Sequence, residues 1–295
     1  MKKNIFLMSI LIFFCFVRET SALEKTKEID INGILITKEQ YENLINRFDP
    51  EDIMSLDKKT INLYKNKKQI NTEVEEIYIK EDYFYDSYKN LMLMNETKIS
   101  KEKFNEIDKK NNKNATGQFG VTDYHETTYK KISLKISAEA NTKTVTLTNE
   151  WKKLPVVRSF DILALGIETG NSLIINNSNT KSGYQKYDGK TIYYNSNNGN
   201  WGNDNPITKK ILSLSQNLVD SANHELKNSI TVTYINGNIP FTVRGTYQHA
   251  ITNISLTNSK NYSASINGLG GLLDYNNNNW YDNTSGLRAT VTIIN

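Results

Sequence analysis

From about Gly120 onward the apolar residues of this chain fall on alternate positions, and that change of period limits the fold more than any other feature. In "KKISLKIS", Ile132, Leu134 and Ile136 share one side, with Lys131, Ser133 and Lys135 on the other. "TVTLTNEW" aligns Val145, Leu147 and Trp151 in the same way, and "LRATVTII" aligns Leu287, Ala289, Val291 and Ile293. A two-residue period marks half-buried strands. Several such segments at short spacing, broken by Asn/Gly turns, predict an antiparallel β-sandwich over residues 120–295. The expected class is mainly β with a small α-helical N-terminal segment.

Two stretches sharpen this. "ITVTYINGNIPFTV" centres on Asn236-Gly237, a dipeptide suited to a tight turn. Folding it there sets Tyr234 against Ile239, Val232 against Phe241 and Ile230 against Val243, so a hairpin is predicted, with Pro240 marking an edge strand. "EWKKLPVVRSFDILALGIE" carries apolar residues on both faces: Ile162 and Ala164 on one, Leu163 and Leu165 on the other. That pattern predicts a central strand covered on both sides. Trp151 should pack beneath it, and Pro155 fits the connection before it. Arg158 and Asp161 are close enough in sequence to form an ion pair orienting the start of the strand.

Upstream, the pattern is different. Lys2 and Lys3, the apolar run Ile5 to Val17 and the small residues of "TSA" read as a secretory signal peptide (residues 1–22) cleaved after Ala22, hence a secreted, extracellular protein. Phe13 and Phe14 ahead of Cys15 disfavour a lipid anchor. Cys15 is the only cysteine, so no disulfide and no thiol nucleophile is expected in the mature chain. Residues 23–72 read as a short helical region. Thr37 and Gln40 form a capping box, Asp49-Pro50 restarts a helix and Asp57 starts a third. Residues 73–119 read as a mixed linker region in which "EVEEIYIKEDYFYD" is either a strand or an extended linker, and Ser100 caps a short helix.

Charge excludes one class of partner. The formal net charge is only +4, without the dense basic stripe of a nucleic-acid binder. No phosphate loop, dinucleotide fingerprint or nucleophile elbow is present. His125, His224 and His249 have no metal-ligand spacing, and "YHETTYK" lacks the second histidine of a zinc motif. In "DYNNNNWYDN", Asp274, Asn276, Asn278 and Asp282 imitate the start of a calcium loop but lack its glycine and terminal glutamate. Neither metal nor cofactor is expected. Glu126, Asp161, Glu168 and Asp188 are the carboxylates a hydrolase would draw on.

The segments "ITKEQYENLINRFDPEDIMSLDKKTINLYKN", "NEWKKLPVVRSFDILALGI" and "GTYQHAITNIS" resemble stretches of uncharacterised secreted proteins of low-GC Gram-positive bacteria. Those proteins join a short helical motif to a β-rich C-terminal region. The resemblance implies the same architecture and brings no activity with it.

What remains is aromatic. Tyr193, Tyr194 and Trp201 in one stretch, and Tyr275, Trp280 and Tyr281 in another, stand among asparagines. Aromatic faces beside amide donors suit sugar rings. These six are the candidate ligand-binding residues of a non-catalytic protein that binds a cell-surface or glycan ligand. The alternatives are a membrane-acting pore former, suggested by the Thr/apolar alternation of Ile230 to Val243, and a hydrolase.

Overall fold

The computed structural model describes residues 28–68, 71–88, 91–107, 125–139, 142–168, 181–203, 211–235, 241–264, 272–275, 280–282 and 287–291. The signal peptide and the Asn236-Gly237 turn lie outside these residues.

The described residues open with a small unit. Strands β1 (Ile29–Ile31) and β2 (Ile34–Ile36) pair across Asn32-Gly33, whose φ angles of 53° and 77° are those of a two-residue primed turn. Three helices follow: α1 (Lys38–Ile45), α2 (Pro50–Ser55) and α3 (Lys58–Tyr64). The capping box at α1 is formed in both directions, Gln40 N–H to Thr37 Oγ1 at 3.2 Å and Thr37 N–H to Gln40 Oε1 at 2.9 Å. Asp57 caps α3 through Thr60 N–H at 2.7 Å. Leu44, Phe48, Ile53, Ile61 and Tyr64 bury together with Ile31 and Ile36 as a small private core.

The rest is an antiparallel two-sheet sandwich. The larger sheet holds β3 (Asn71–Tyr85), β4 (Leu91–Ile99), β5 (His125–Glu139), β6 (Thr142–Lys153), β8 (Lys181–Tyr187), β9 (Lys190–Tyr194) and β12 (Leu226–Ile235), in the order β4-β3-β5-β6-β12-β8-β9. The smaller holds β7 (Phe160–Ile167), β10 (Asn200–Asn203), β11 (Ile211–Asn217), β13 (Phe241–Gln248) and β16 (Leu287–Val291), in the order β10-β11-β7-β13-β16. A short helix α4 (Lys101–Glu106) follows β4. Helix α5 (Leu256–Ser259) and a two-stranded pair, β14 (Ser263–Ala264) with β15 (Leu273–Asp274), lie between β13 and β16.

The alternation is realised in the main core. Ile132, Leu134, Ile136, Val145, Leu147 and Trp151 of the larger sheet meet Leu163, Leu165, Ile167, Val243 and Leu287 of the smaller. At Gly245 of β13 the sheets approach so closely that a Cβ would stand 2.8 Å from a Leu147 methyl and 3.1 Å from one of Leu134. Strand β7 is central and covered on both sides, as its pattern predicts. Ile162 and Ala164 on its outer face belong to a second core with Ala250, Ile254, Leu272, Tyr275 and Tyr281.

One open reading closes and two expectations change. Of the two readings of the segment 71–85, strand and extended linker, the strand is the one formed, and with β4 it completes the larger sheet, so strands of that sheet begin well before residue 120. The hairpin across Asn236-Gly237 does not form. β12 is hydrogen-bonded on its two edges to β6 and β8, and β13 to β7 and β16, so the two strands belong to opposite sheets. Their apolar faces meet across the core instead of side by side, with Ile230, Val232, Tyr234 and Val243 all fully buried. β13 is therefore an interior strand and not an edge. Finally, Arg158 and Asp161 do not pair with each other. The Arg158 guanidinium donates to the carbonyls of Pro155, Val219, Asp220 and Ala222 at 2.8–3.1 Å, pinning the turn after β11. The Asp161 carboxylate accepts from Tyr247 Oη and from Ala250 N–H at 2.9 Å, and lies 3.0 Å from His249 Nδ1.

Candidate functional site

The six aromatic candidates separate into two groups, one over the outer face of β7 and one at the β9 and β10 sheet edges. Tyr275 and Tyr281 are buried in the second core, where their hydroxyls donate to the carbonyls of Ser259 (2.8 Å) and Phe160 (3.0 Å). Trp280 packs partly buried against the same core. These rings cover the outer face of β7. Tyr275 and Tyr281 have no free face for a ligand, because the apolar face of a central strand must be covered.

The other group lines an edge. β8 and β9 turn tightly at Asp188-Gly189, with φ of 45° and 78°, which makes β9 the edge strand of the larger sheet. Strand alternation sends successive side chains to opposite faces. Tyr194 packs toward the main core, and Tyr193 stands 36% exposed on the outer face. The loop 195–199 that follows is held by its own amides. Asn198 Nδ2 donates to the Tyr193 carbonyl at 3.0 Å, and Asn197 N–H donates to Asn195 Oδ1 at 2.9 Å. Trp201 anchors this loop, its indole N–H donating to the Asn195 carbonyl at 2.7 Å and its ring resting against the main core. The Lys181 ammonium lies 5.0 Å from that ring. Trp201 is thus a positioning residue for the loop.

Tyr193, Asn195, Ser196 and Asn197 form one wall of a cleft of about 360 Å³. Lys181, Ser182, Thr231 and Thr233 of the sheet form its floor, and Asn32, Met54–Lys58 and Thr60 of the helical unit its other wall. That wall is fixed from within: Asn32 Nδ2 donates to the carbonyls of Met54 (3.1 Å) and Leu56 (2.9 Å). The helical unit itself docks through polar contacts. Glu51 pairs with Lys186 at 2.8 Å and Asp49 with Lys227 at 3.3 Å. The fully buried Asp52 accepts from Ser229 and Thr231, both at 3.1 Å, and burial pushes its carboxyl up to about 7. Nothing in the sequence pattern pointed to the helical unit as a wall, since a cleft between two units follows from docking.

A second polar constellation lies inside the sandwich, and its signal was present in the sequence. Lys130 has the same parity as Ile132, and Glu81 the same parity as Ile79 and Tyr83, so two charges occupy the inward register of alternating strands. Both are fully buried. Lys130 Nζ donates to Glu81 Oε1 at 2.5 Å and to Asp282 Oδ2. Glu81 Oε2 accepts from Tyr83 Oη (2.9 Å) and Thr128 Oγ1 (3.0 Å), and Asp282 Oδ1 from His249 N–H (3.0 Å). Burial pushes Asp282 up to about 8. Burial also acts to raise Glu81, but the Lys130 ammonium on it brings it down to about 2. Burial lowers Lys130, yet its two carboxylates hold it above the usual lysine value. Trp151 adjoins the cluster, edge-on to His249 at 4.9 Å, with its N–H donated to Tyr247 Oη at 3.2 Å.

This cluster absorbs residues first read otherwise. Asp282 is a partner of Lys130 and not a calcium-loop ligand; Asp274 is exposed on β15, and Asn276 and Asn278 lie outside the described residues. The histidines have separate surroundings: His249 sits at Asp161, His224 is exposed on the turn before β12, and His125 is at the start of β5 opposite Phe84. Among the described residues no histidine–carboxylate group has the arrangement of a metal site. The hydrolase carboxylates also have separate settings. Asp161 is buried, Asp188 accepts the backbone N–H groups of Asn223, His224 and Glu225, Glu126 is opposite Tyr83 and Glu168 follows β7. No helix of the described residues is long and apolar enough to cross a membrane.

No protein-family model matches the chain, and no curated protein matches it. Two solved structures share a likeness over about half of it. A collagen-binding domain from a Staphylococcus aureus adhesin aligns at 12% identity and a TM-score of 0.29, over 52% of this chain and 90% of that domain. The collagen-binding subdomain of the Enterococcus faecalis surface protein ACE aligns at 13% identity and 0.29, over 53% and 90%. A likeness of that size carries no functional argument.

Proposed function

We propose that this is an exported, non-catalytic binding protein whose cleft between the helical unit and the β9 edge takes a polar cell-surface ligand, with a glycan as the best-fitting class. The observation that carries this is the partly exposed Tyr193 lining a cleft of about 360 Å³ together with Asn195, Asn197, Ser182 and Thr233. A sugar offers one apolar face to an aromatic ring and a rim of hydroxyls to amides and hydroxyls. The cleft walls are held by their own hydrogen bonds, which lowers the ordering cost of binding. Export rests on the N-terminal signal sequence, and N-terminal sequencing of the secreted protein should begin at Leu23.

The test is a glycan array and a cell-wall pull-down with wild type, Tyr193→Ala and Trp280→Ala. Tyr193→Ala should weaken binding by about tenfold or more, as expected for an aromatic anchor. Trp280→Ala, over the outer face of β7, should bind as wild type does. Equal binding by the Tyr193 variant would overturn the assignment.

A further inference from the structure

We propose that Lys130 and Asp282 become joined by an intramolecular amide between Nζ and Cγ, with Glu81 moving the proton that the condensation requires. Three features of the cluster point there. First, the amine and the carboxyl are in contact inside the sandwich with no exposed surface on either side chain. Buried ions are costly to keep, and a neutral amide removes both charges. Second, each oxygen has a distinct task. Asp282 Oδ1 accepts the His249 backbone N–H at 3.0 Å, a donor placed to stabilise negative charge as it develops on that oxygen. Asp282 Oδ2 faces Lys130 and is the oxygen free to leave. Glu81 Oε2 is held by Tyr83 and Thr128, which aims Oε1 at the Lys130 nitrogen at 2.5 Å. Glu81 Oε1 and Asp282 Oδ2 both lie on the Lys130 nitrogen, so a proton can pass between them by way of that atom. Third, the pair spans 152 residues and ties β5 of the larger sheet to the segment bridged with Ala250 beside the smaller one. The only cysteine of the chain is Cys15, so a disulfide cannot supply such a tie.

The step balances without any further reagent. A proton passes from the Lys130 ammonium to the Asp282 carboxylate, leaving a neutral amine and a carboxylic acid. The amine lone pair forms the new bond to Cγ, and the carbonyl electrons move onto Oδ1 under the His249 N–H. Glu81 takes a proton from the nitrogen and delivers it to the Oδ2 hydroxyl. The C–Oδ2 bond breaks, water leaves, Oδ1 returns to a carbonyl and Glu81 is again a carboxylate. Burial favours the neutral reactants and raises Asp282, while the two carboxylates hold the proton on Lys130, so this first transfer is the uphill part of the step.

The experiment is denaturing mass spectrometry of the purified full chain, with its termini fixed by peptide mapping. Wild type should weigh one water less than its sequence requires, and its digest should contain one branched peptide joining the Lys130 and Asp282 segments. Lys130→Arg should show the full mass. Glu81→Gln, close in shape, should keep the β-type circular dichroism yet remain unlinked. Asp282→Asn should still form the branched peptide, now with loss of ammonia instead of water. A wild-type protein of full mass with no branched peptide overturns the proposal. A Glu81→Gln protein that links as wild type does overturns the role given to Glu81.

Discussion

The two polar regions of this molecule are built in opposite ways. The cluster of Glu81, Lys130 and Asp282 is dry and charged, and sits between two sheets. The cleft at Tyr193 is open, lined mainly by amides and hydroxyls, and sits between the helical unit and a sheet edge. In the first, every atom is committed to another part of the chain and no outside molecule can reach it. In the second, a ring and several amides face solvent on walls that are already braced. Charge placed in low dielectric is bound to its partners and acts on the fold, whereas polar groups left at an edge remain open to exchange water for a ligand.

That contrast can be broken at either end. Lys130→Met should have the largest effect. It removes the buried partner of both Glu81 and Asp282 and with it the proposed amide, and losing one partner of a buried pair alone costs about 3–5 kcal/mol. Denaturant unfolding would measure it, and a change under about 1 kcal/mol would mean that the cluster is not structural. Trp151→Ala should follow closely. Its ring is 1% exposed in the main core, and such truncations cost about 3–5 kcal/mol. Melting temperature and secretion yield should fall together, and binding only with the folded fraction. A stable, well-secreted variant that no longer bound would turn this region into a site.

Asp52 tests the docking of the helical unit on the larger sheet, which sets one wall of the cleft. Its folded value of about 7 lies above the ordinary 3.8, so the folded state keeps a proton that the unfolded state releases. Its contribution is therefore fully favourable below about pH 4 and is lost as pH rises through about 7. Asp52→Asn should flatten that fall and gain about 1–3 kcal/mol at pH 8. Unfolding followed from pH 4 to 8 would show it, and parallel pH curves for variant and wild type would refute the assignment. Tyr193→Ala should have the smallest effect on the fold, within about 0.5 kcal/mol, because its ring is partly exposed. Its loss should appear in binding alone.

Local chemistry was legible in the sequence. Thr37, Asp57 and Ser100 each cap the helix expected of them, because a cap is decided by residues three apart. The inward faces of β5, β6 and β7 were readable because strand parity needs no knowledge of the partner strand. Partner choice was not readable. Asn32-Gly33 joins two paired strands, while the strands on either side of Asn236-Gly237 go to opposite sheets. The difference is competition: β12 and β13 each have both edges hydrogen-bonded to strands distant in sequence, and a turn dipeptide carries no information about such competitors. The aromatic candidates divided for the same reason. Tyr193 stands at an edge and Tyr275 over a central strand, and edge and centre are properties of the assembled sheet. The sequence by itself determined the strand faces and the helix starts, and it set Lys130 in register with Ile132 and Glu81 with Ile79. The tertiary structure decided which of those charges meet Asp282 and where the cleft opens, because contacts across 152 residues depend on how two sheets close on each other.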